Sequence, residues 1–194
     1  MTSTSERLLD AAQALAQQRG FNAFSFRDLA NRLGITNAGI HYHFPKKADL
    51  GRALIARYRR NVAEALTEVD RTAGSATDRL KGFIASYADG LRKERLCLGV
   101  MLASETVTLP DEVQSEVRSF FAALEDWLTR VLEDGRTAGE FHFEGAAEDE
   151  AALVLSTVEG AMLSAWPLRS VKPVQALARF ETVMQRFLNG LAPS

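Results

Sequence analysis

The stretch "FSFRDLANRLGITNAGIHYHF", residues 24–44, places two short helical periods on either side of a glycine. Ser25 with Asp28 forms a capping box that starts the first helix, and Phe24 with Leu29 can make its hydrophobic staple. Phe26, Leu29, Ala30 and Leu33 share one helical face. Gly34 stops this helix after barely two turns. Thr36 then caps a second helix, with Ile35 and Ile40 in the staple positions, and Pro45 cannot continue it. Two short helices joined by a tight glycine turn make a helix-turn-helix.

The rest of the chain also carries helical periods, with β-branched alternation nearly absent and only five prolines. Ser3 with Glu6 boxes the start of a first helix with the stripe Leu8, Ala12, Leu15 and Ala16. Gly20 is expected to end it in a left-handed conformation, with Phe21 as the apolar contact behind it. A fourth helix is expected from about Lys46 to Asp70. Ser75 with Asp78 opens a fifth, with Leu80, Phe83, Ile84, Tyr87 and Leu91 along one side. A short sixth spans Cys97 to Glu105. Pro110 suits the first turn of a seventh, whose buried side runs from Val113 to Val131. The segment "EDGRTAGEFHFEG" reads as loop. An eighth helix, about Ala146 to Trp166, is apolar around much of its circumference, and a ninth covers about Pro173 to Leu191. The expected fold is all-α with about nine helices: a three-helix head containing the helix-turn-helix, and a helical body. The boundary falls at residues 1–45 and 46–194, with the fourth helix connecting the two.

Net charge is −2, but it is divided unevenly. Residues 1–60 hold ten Lys/Arg against four Asp/Glu, or +6; the remainder holds 13 against 21, or −8. A basic head on an acidic body suits a polyanionic partner. No run of about 18 apolar residues occurs, so no membrane span is expected. The N-terminal stretch lacks the basic start and apolar block of a signal peptide, which points to the cytoplasm. The one cysteine, Cys97, excludes an internal disulfide and a thiol-only zinc site.

The helix after Thr36 has the composition of a groove reader. Its N-terminal residues Asn37, Ala38 and Gly39 are small, so nothing blocks entry into a DNA major groove. Gly39 inside a helix costs roughly 1 kcal/mol against alanine, tolerable where backbone and phosphate approach closely. The Thr36 hydroxyl and the Tyr42 phenol can bond phosphate, and Asn37 and His41 can bond bases or phosphates. Lys46 and Lys47 begin the next helix, where cations oppose the helix dipole unless an anion lies nearby. His41 and His43 are two apart, so a helix points them in different directions, and they suggest no metal site.

The segment "SFRDLANRLGITNAGIHYHFPKKADL" resembles the DNA-binding domain of TetR-family transcription regulators. The resemblance rests on Arg27-Asp28-Leu29-Ala30, the Gly34-Ile35-Thr36 turn, the Tyr42-x-Phe44 pair, Lys47 and Leu50. It implies that Thr36, Tyr42 and Lys47 clamp phosphates and that Arg27 adds a backbone contact. It implies further that Asn37, Ala38, Gly39 and His41 face the groove, while Ile40 and Phe44 pack the third helix onto the first. Lys46 stands where the family usually has a small capping residue, and Ala48 where it often has an acid. This adds one cation and leaves the cap of the fourth helix unassigned; His43 is expected at the exposed rim.

A reader of this size is expected to bind a palindrome as a homodimer. The eighth and ninth helices suit the interface, with Val158, Ala161 and Ala165 beside Gly160 and Ser164, and with Leu177, Met184, Phe187 and Leu188. Phe83, Tyr87, Cys97, Met101, Phe120, Leu124, Trp127, Met162 and Trp166 are candidate walls of an apolar ligand cavity, with Glu105 and His142 as possible polar anchors. The reading is a ligand-responsive regulator, commonly a repressor in this family, bound to double-stranded DNA and released by a small apolar or amphipathic effector. Two alternatives are a redox or electrophile sensor using Cys97, near Arg92, Lys93 and Arg95, and a helical interaction protein without DNA binding. No Gly-rich phosphate loop, nucleophile–base set or metal spacing suggests an enzyme, a cofactor or a metal.

Overall fold

The computed structural model describes residues 3–192. Among them are nine α-helices and no strand. The helices are α1 (Thr4–Arg19), α2 (Phe26–Leu33), α3 (Asn37–His43), α4 (Lys47–Thr72), α5 (Ala76–Arg92), α6 (Leu98–Ala103), α7 (Asp111–Thr137), α8 (Ala147–Ala165) and α9 (Pro173–Leu191). Single 3-10 turns follow α6, at Thr106–Thr108, and α8, at Trp166–Leu168. The chain forms two compact units. One comprises residues up to Asn61 together with Cys97–Phe120; the other comprises Val62–Leu96 and the chain from Phe121 onward.

In the first unit α1 packs against α2 and α6, and α2 packs against α3. Leu8, Ala12 and Ala16 of α1, Leu29 of α2, Ile40 of α3, and Leu50, Leu54 and Ile55 of α4 are fully buried. Arg57 of α4 is buried against α1. Its Nη1 donates to Glu6 Oε2 at 2.9 Å and Asp10 Oδ1 at 2.8 Å, and its Nη2 donates to Gln13 Oε1 at 3.1 Å. The Ser3 hydroxyl accepts from the Glu6 N–H, while the Glu6 carboxylate turns to Arg57 instead of closing a capping box.

Gly20 does not adopt the left-handed helical conformation expected of it. At φ 97°, ψ 156° it takes a different positive-φ conformation that side chains disfavour. Glu105 caps the turn that follows: its Oε2 accepts from the Asn22 N–H at 2.8 Å, while Asn22 Nδ2 donates to Thr108 Oγ1 at 2.7 Å. Glu105 thus caps a turn that lies 83 residues earlier in the chain. α6 is shorter than expected, ending at Ala103. Within it, Gly99 lies so close to the Phe120 ring that a methyl group would overlap it. Pro110 immediately precedes α7 instead of occupying its first turn.

In the second unit α5, α8 and α9 pack on one another. Ser75 caps α5 by accepting from the Asp78 N–H at 3.0 Å. α7 continues through Thr137, so Glu133–Thr137 is helix where a loop is expected. Gly135 does not break α7; it gives the Phe141 ring a seat against bare backbone, which a side chain would fill. Glu140 folds back to accept from the Ala76 and Thr77 N–H groups at the start of α5. Those bonds, the one from Thr77 foremost, hold its carboxyl below the usual glutamate range. Ala147–Leu168 is long and apolar enough to cross a membrane by length and mean hydropathy alone. It exceeds the sequence expectation in that respect, but its apolar face packs on α5 and α9.

Candidate nucleic-acid interface

Local chemistry sets the helix-turn-helix. The Ser25 hydroxyl accepts from the Asp28 N–H, and Asp28 Oδ2 accepts from the Ser25 N–H at 2.7 Å. The Ser25 hydroxyl also donates to Asp28 Oδ2, and this bond above all holds the Asp28 carboxyl below the usual range. Gly34 adopts the left-handed conformation at φ 66°, ψ 35°, and the Ile35 N–H returns to the Ala30 carbonyl. The chain thus reverses within three residues, a turn that glycine takes at least cost. Thr36 Oγ1 accepts from the Gly39 N–H at 3.1 Å. Its hydroxyl proton is then available to donate elsewhere.

α3 buries Ile40 and leaves its opposite side open. Thr36, Asn37, Ala38, His41 and Tyr42 are exposed, and Gly39 is half-buried. Tyr42 is 84% exposed, unusual for a large aromatic residue. Its ring rests edge-on against half-buried His43 at 5.2 Å. His41 Nδ1 lies 3.2 Å from the Pro45 carbonyl, and Phe26 of α2 stands edge-on to the ring at 5.0 Å. With Nδ1 donating to that carbonyl, the neutral ring keeps Nε2 as an acceptor. This orientation by Phe26 and Pro45 is invisible in the spacing of the motif.

The remaining cations occupy different positions. Arg27 and Lys46 are exposed. The cap missing from α4 comes from within the helix: Asp49 Oδ2 accepts from the Lys46 N–H at 3.0 Å. Lys47 points inward in this structure. Its ammonium donates to the Phe24 carbonyl at 2.5 Å and lies 4.8 and 4.7 Å from the ring centres of Phe21 and Phe24. Burial lowers its pKa, opposed by the charges of Glu105 and Asp28. The structure therefore brings Thr36, Asn37, Ala38, His41 and Tyr42 together on one open face, with Lys46 close by in sequence and Lys47 tucked behind.

Of the body residues named from sequence, Phe83, Tyr87, Leu124, Trp127, Met162 and Trp166 belong to the second unit, and Cys97, Met101 and Phe120 to the first. Phe83, Tyr87, Leu124, Trp127 and Met162 are buried, and Trp166 is half-buried with the Arg169 guanidinium 3.8 Å above its ring. Phe83 touches both Tyr87 and Trp127, at 5.2 and 5.7 Å between ring centres. Phe120 packs on Tyr58, and Met101 is half-buried. His142 is exposed on the outside, donating its N–H to the Leu191 carbonyl. The polar group that sequence reasoning missed is Glu159, buried in α8 and accepting from the Tyr87 hydroxyl at 3.0 Å. Cys97 is buried just before α6. Among the described residues no group of three or more His, Cys, Asp or Glu is placed to hold a metal ion.

The residues expected at a dimer interface differ in burial. Val158, Ala161, Ala165 and Met184 are buried within the single chain, because that side of α8 and α9 completes its own core. Leu177, Phe187 and Leu188 are half-buried. The large apolar residues that α8 leaves exposed are Leu153 and Leu163, at 51% and 44%. With exposed Ser156, Gly160 and Ser164 they lie at helical spacing on one stripe.

Comparison with known proteins agrees with this architecture. The model of bacterial regulatory proteins of the tetR family matches residues 8–54. The model of the C-terminal domain of LmrA/YxaF-like transcriptional regulators matches residues 75–180. The HTH-type transcriptional repressor NemR of Escherichia coli K12 is 25% identical over 186 residues, covering 93% of this chain and 94% of its own. A TetR-family transcriptional regulator from Agrobacterium tumefaciens has a solved structure with a TM-score of 0.90 and 32% identity, covering 97% of both chains. A TetR regulator from Legionella pneumophila has a TM-score of 0.83 and 31% identity, covering 96% of this chain and 98% of its own.

Proposed function

The chain belongs to the TetR family of bacterial regulatory proteins, and from that premise we propose that it binds a palindromic operator as a homodimer, represses transcription there, and is released by a small apolar or amphipathic effector. DNA reading is assigned to residues 1–45, and effector binding and dimerisation to the chain from residue 46. The observation that carries the proposal is the open face of α3, where small and polar residues surround an 84% exposed tyrosine. A packing helix would bury such a tyrosine; a helix in a major groove would use its hydroxyl on phosphate.

In this reading Thr36, Tyr42, Arg27 and Lys46 grip the backbone, while Asn37, Ala38, Gly39 and His41 face the bases. Lys47 joins the grip by leaving the Phe24 carbonyl when phosphate is near. Three cations per head and two heads predict that the logarithm of affinity falls with the logarithm of salt at a slope of about −5. A gel shift with DNA from upstream of its own gene tests this. Lys46→Ala should weaken binding to all sequences alike and flatten the slope, whereas Asn37→Ala should alter base preference. A slope near zero would exclude a phosphate grip.

Dimerisation through the exposed stripe of α8, with Phe187 and Leu188 of α9, is isologous: each residue meets its own two-fold surroundings. Leu163→Arg then brings two unpaired cations together and should yield a monomer in light scattering, with far-UV circular dichroism unchanged. Release is a population shift in which the effector prefers a dimer whose recognition helices no longer match one helical turn of DNA. The continuous helix α4, beginning at Lys47, is the connecting element. A coupling of about 1–3 kcal/mol is sufficient. The burial of Cys97 lends no support to a redox sensor.

A further inference from the structure

Lys47 and the residues that hold it form a network within the first unit, and Glu105 stands at its far end. The seat of Lys47 is the turn between α1 and α2. Phe24 supplies the carbonyl at 2.5 Å, and the Phe21 and Phe24 rings supply faces at 4.8 and 4.7 Å from the ammonium. Both rings are buried, and Phe21 presses on the bare backbone of Gly51, one turn beyond Lys47 on α4. The same turn is also held by the segment after α6. Half-buried Glu105 lies over Gly20 and accepts from the Asn22 N–H at 2.8 Å. Thr108 Oγ1 accepts from the Asn22 side chain at 2.7 Å, and the Thr108 hydroxyl donates to the Glu105 carbonyl at 2.9 Å. A bond to a carboxylate is stronger than a neutral one, so Glu105 is the firmest hold on the turn.

To bond phosphate, Lys47 gives up a carbonyl and two ring faces that attract its charge. That cost is subtracted from the phosphate bond, so a firmer seat means a weaker grip on DNA. The seat is only as firm as the turn that carries Phe21 and Phe24. We propose that Glu105 is a positioning residue for DNA binding: by clamping the α1–α2 turn it holds Lys47 in its aromatic seat and so lowers operator affinity. The proposal rests on the reading of Lys47 as a phosphate contact and names the group that withholds it. The segment after α6 thereby sets the strength of the grip through Lys47.

Two measurements on the full-length protein test it, and the first needs no DNA. Protons above an aromatic face are shielded, so in a proton–carbon NMR spectrum of protein labelled with carbon-13 lysine the Lys47 ε-methylene should lie upfield of every other lysine. Glu105→Ala should move it toward them. Glu105→Gln keeps an acceptor for the Asn22 N–H without the charge, and should leave it in place. The second measurement is affinity for DNA from upstream of its own gene, with and without Lys47→Ala, as a double-mutant cycle. Glu105→Ala should tighten binding at least about fivefold when Lys47 is present and change it less than about twofold when it is not. Asn22→Ala removes only the Thr108 link and should act in the same direction, less strongly. Circular dichroism establishes that each variant is folded; if Glu105→Ala is not, Asn22→Ala decides by the direction of the same two readouts. A Lys47 signal that is unshielded in the unmodified protein, or unmoved in folded Glu105→Ala, would overturn the clamp. Weaker binding in Glu105→Ala, or an equal change with and without Lys47, would mean that the turn merely supports α2, and would overturn the role in DNA binding. If the unmodified protein does not shift this DNA, the regulatory reading falls, and the NMR signal alone decides the clamp.

Discussion

Ala38→Glu is expected to leave the protein folded and to reduce its operator affinity at least a hundredfold, a loss of about 2.7 kcal/mol or more. Ala38 is exposed near the N-terminus of α3, two residues after the Thr36 cap. An acidic side chain in the first turn of a helix interacts favourably with the helix dipole, so stability should not fall. On DNA the same side chain would place bulk and negative charge between the helix and the floor of the groove. Fluorescence anisotropy with labelled operator, beside a thermal melt, separates the two effects. A variant that melts normally and still binds DNA within threefold of the unmodified protein would remove α3 from the groove.

The second large effect is on stability. Arg57→Ala should lower the stability of the fold by about 2 kcal/mol, or about 4–8 °C in the melting temperature of a chain this long. The side chain is buried and ties α4 to three residues of α1. Removing one partner of a fully buried ion pair costs about 3–5 kcal/mol because the other charge is stranded. Here the stranded acids can return to water, since the Glu6 and Asp10 side chains are 48% and 67% exposed. What remains is the lost packing of the arginine stem and the lost hydrogen bonds. Asp10→Asn should therefore change stability by less than about 1 kcal/mol. Equal losses in the two variants would mean that the charge pair, not the buried stem, holds α1 on α4.

Much of this architecture is local, and so is visible in the order of the residues. Ser25 and Asp28 are three apart and close the capping box predicted for them; Thr36 caps α3, and Gly34 takes the left-handed turn. The end of α7 is less legible. Gly135 resembles a helix breaker, and only the ring of Phe141 against it explains why the helix continues. Nor does the spacing of the motif tell where Lys47 points, because the groups that hold it, Phe21 and Phe24, lie 26 and 23 residues earlier. Glu159 reads only as one acid in an apolar helix, and its partner Tyr87 is 72 residues away. The three side chains around Arg57 are likewise 44 to 51 residues distant. Caps and turns depend on neighbours in sequence; buried polar groups depend on neighbours in space.

α3 is expected to read base edges from the major groove. Dimethyl sulfate reports this directly, because it methylates guanine at N7 in the major groove and adenine at N3 in the minor groove. On operator DNA the protein should protect guanine N7 in two clusters related by a two-fold axis and separated by one helical turn or a multiple of it. Protection confined to adenine N3, or a bound complex in which every guanine N7 stays reactive, would contradict it.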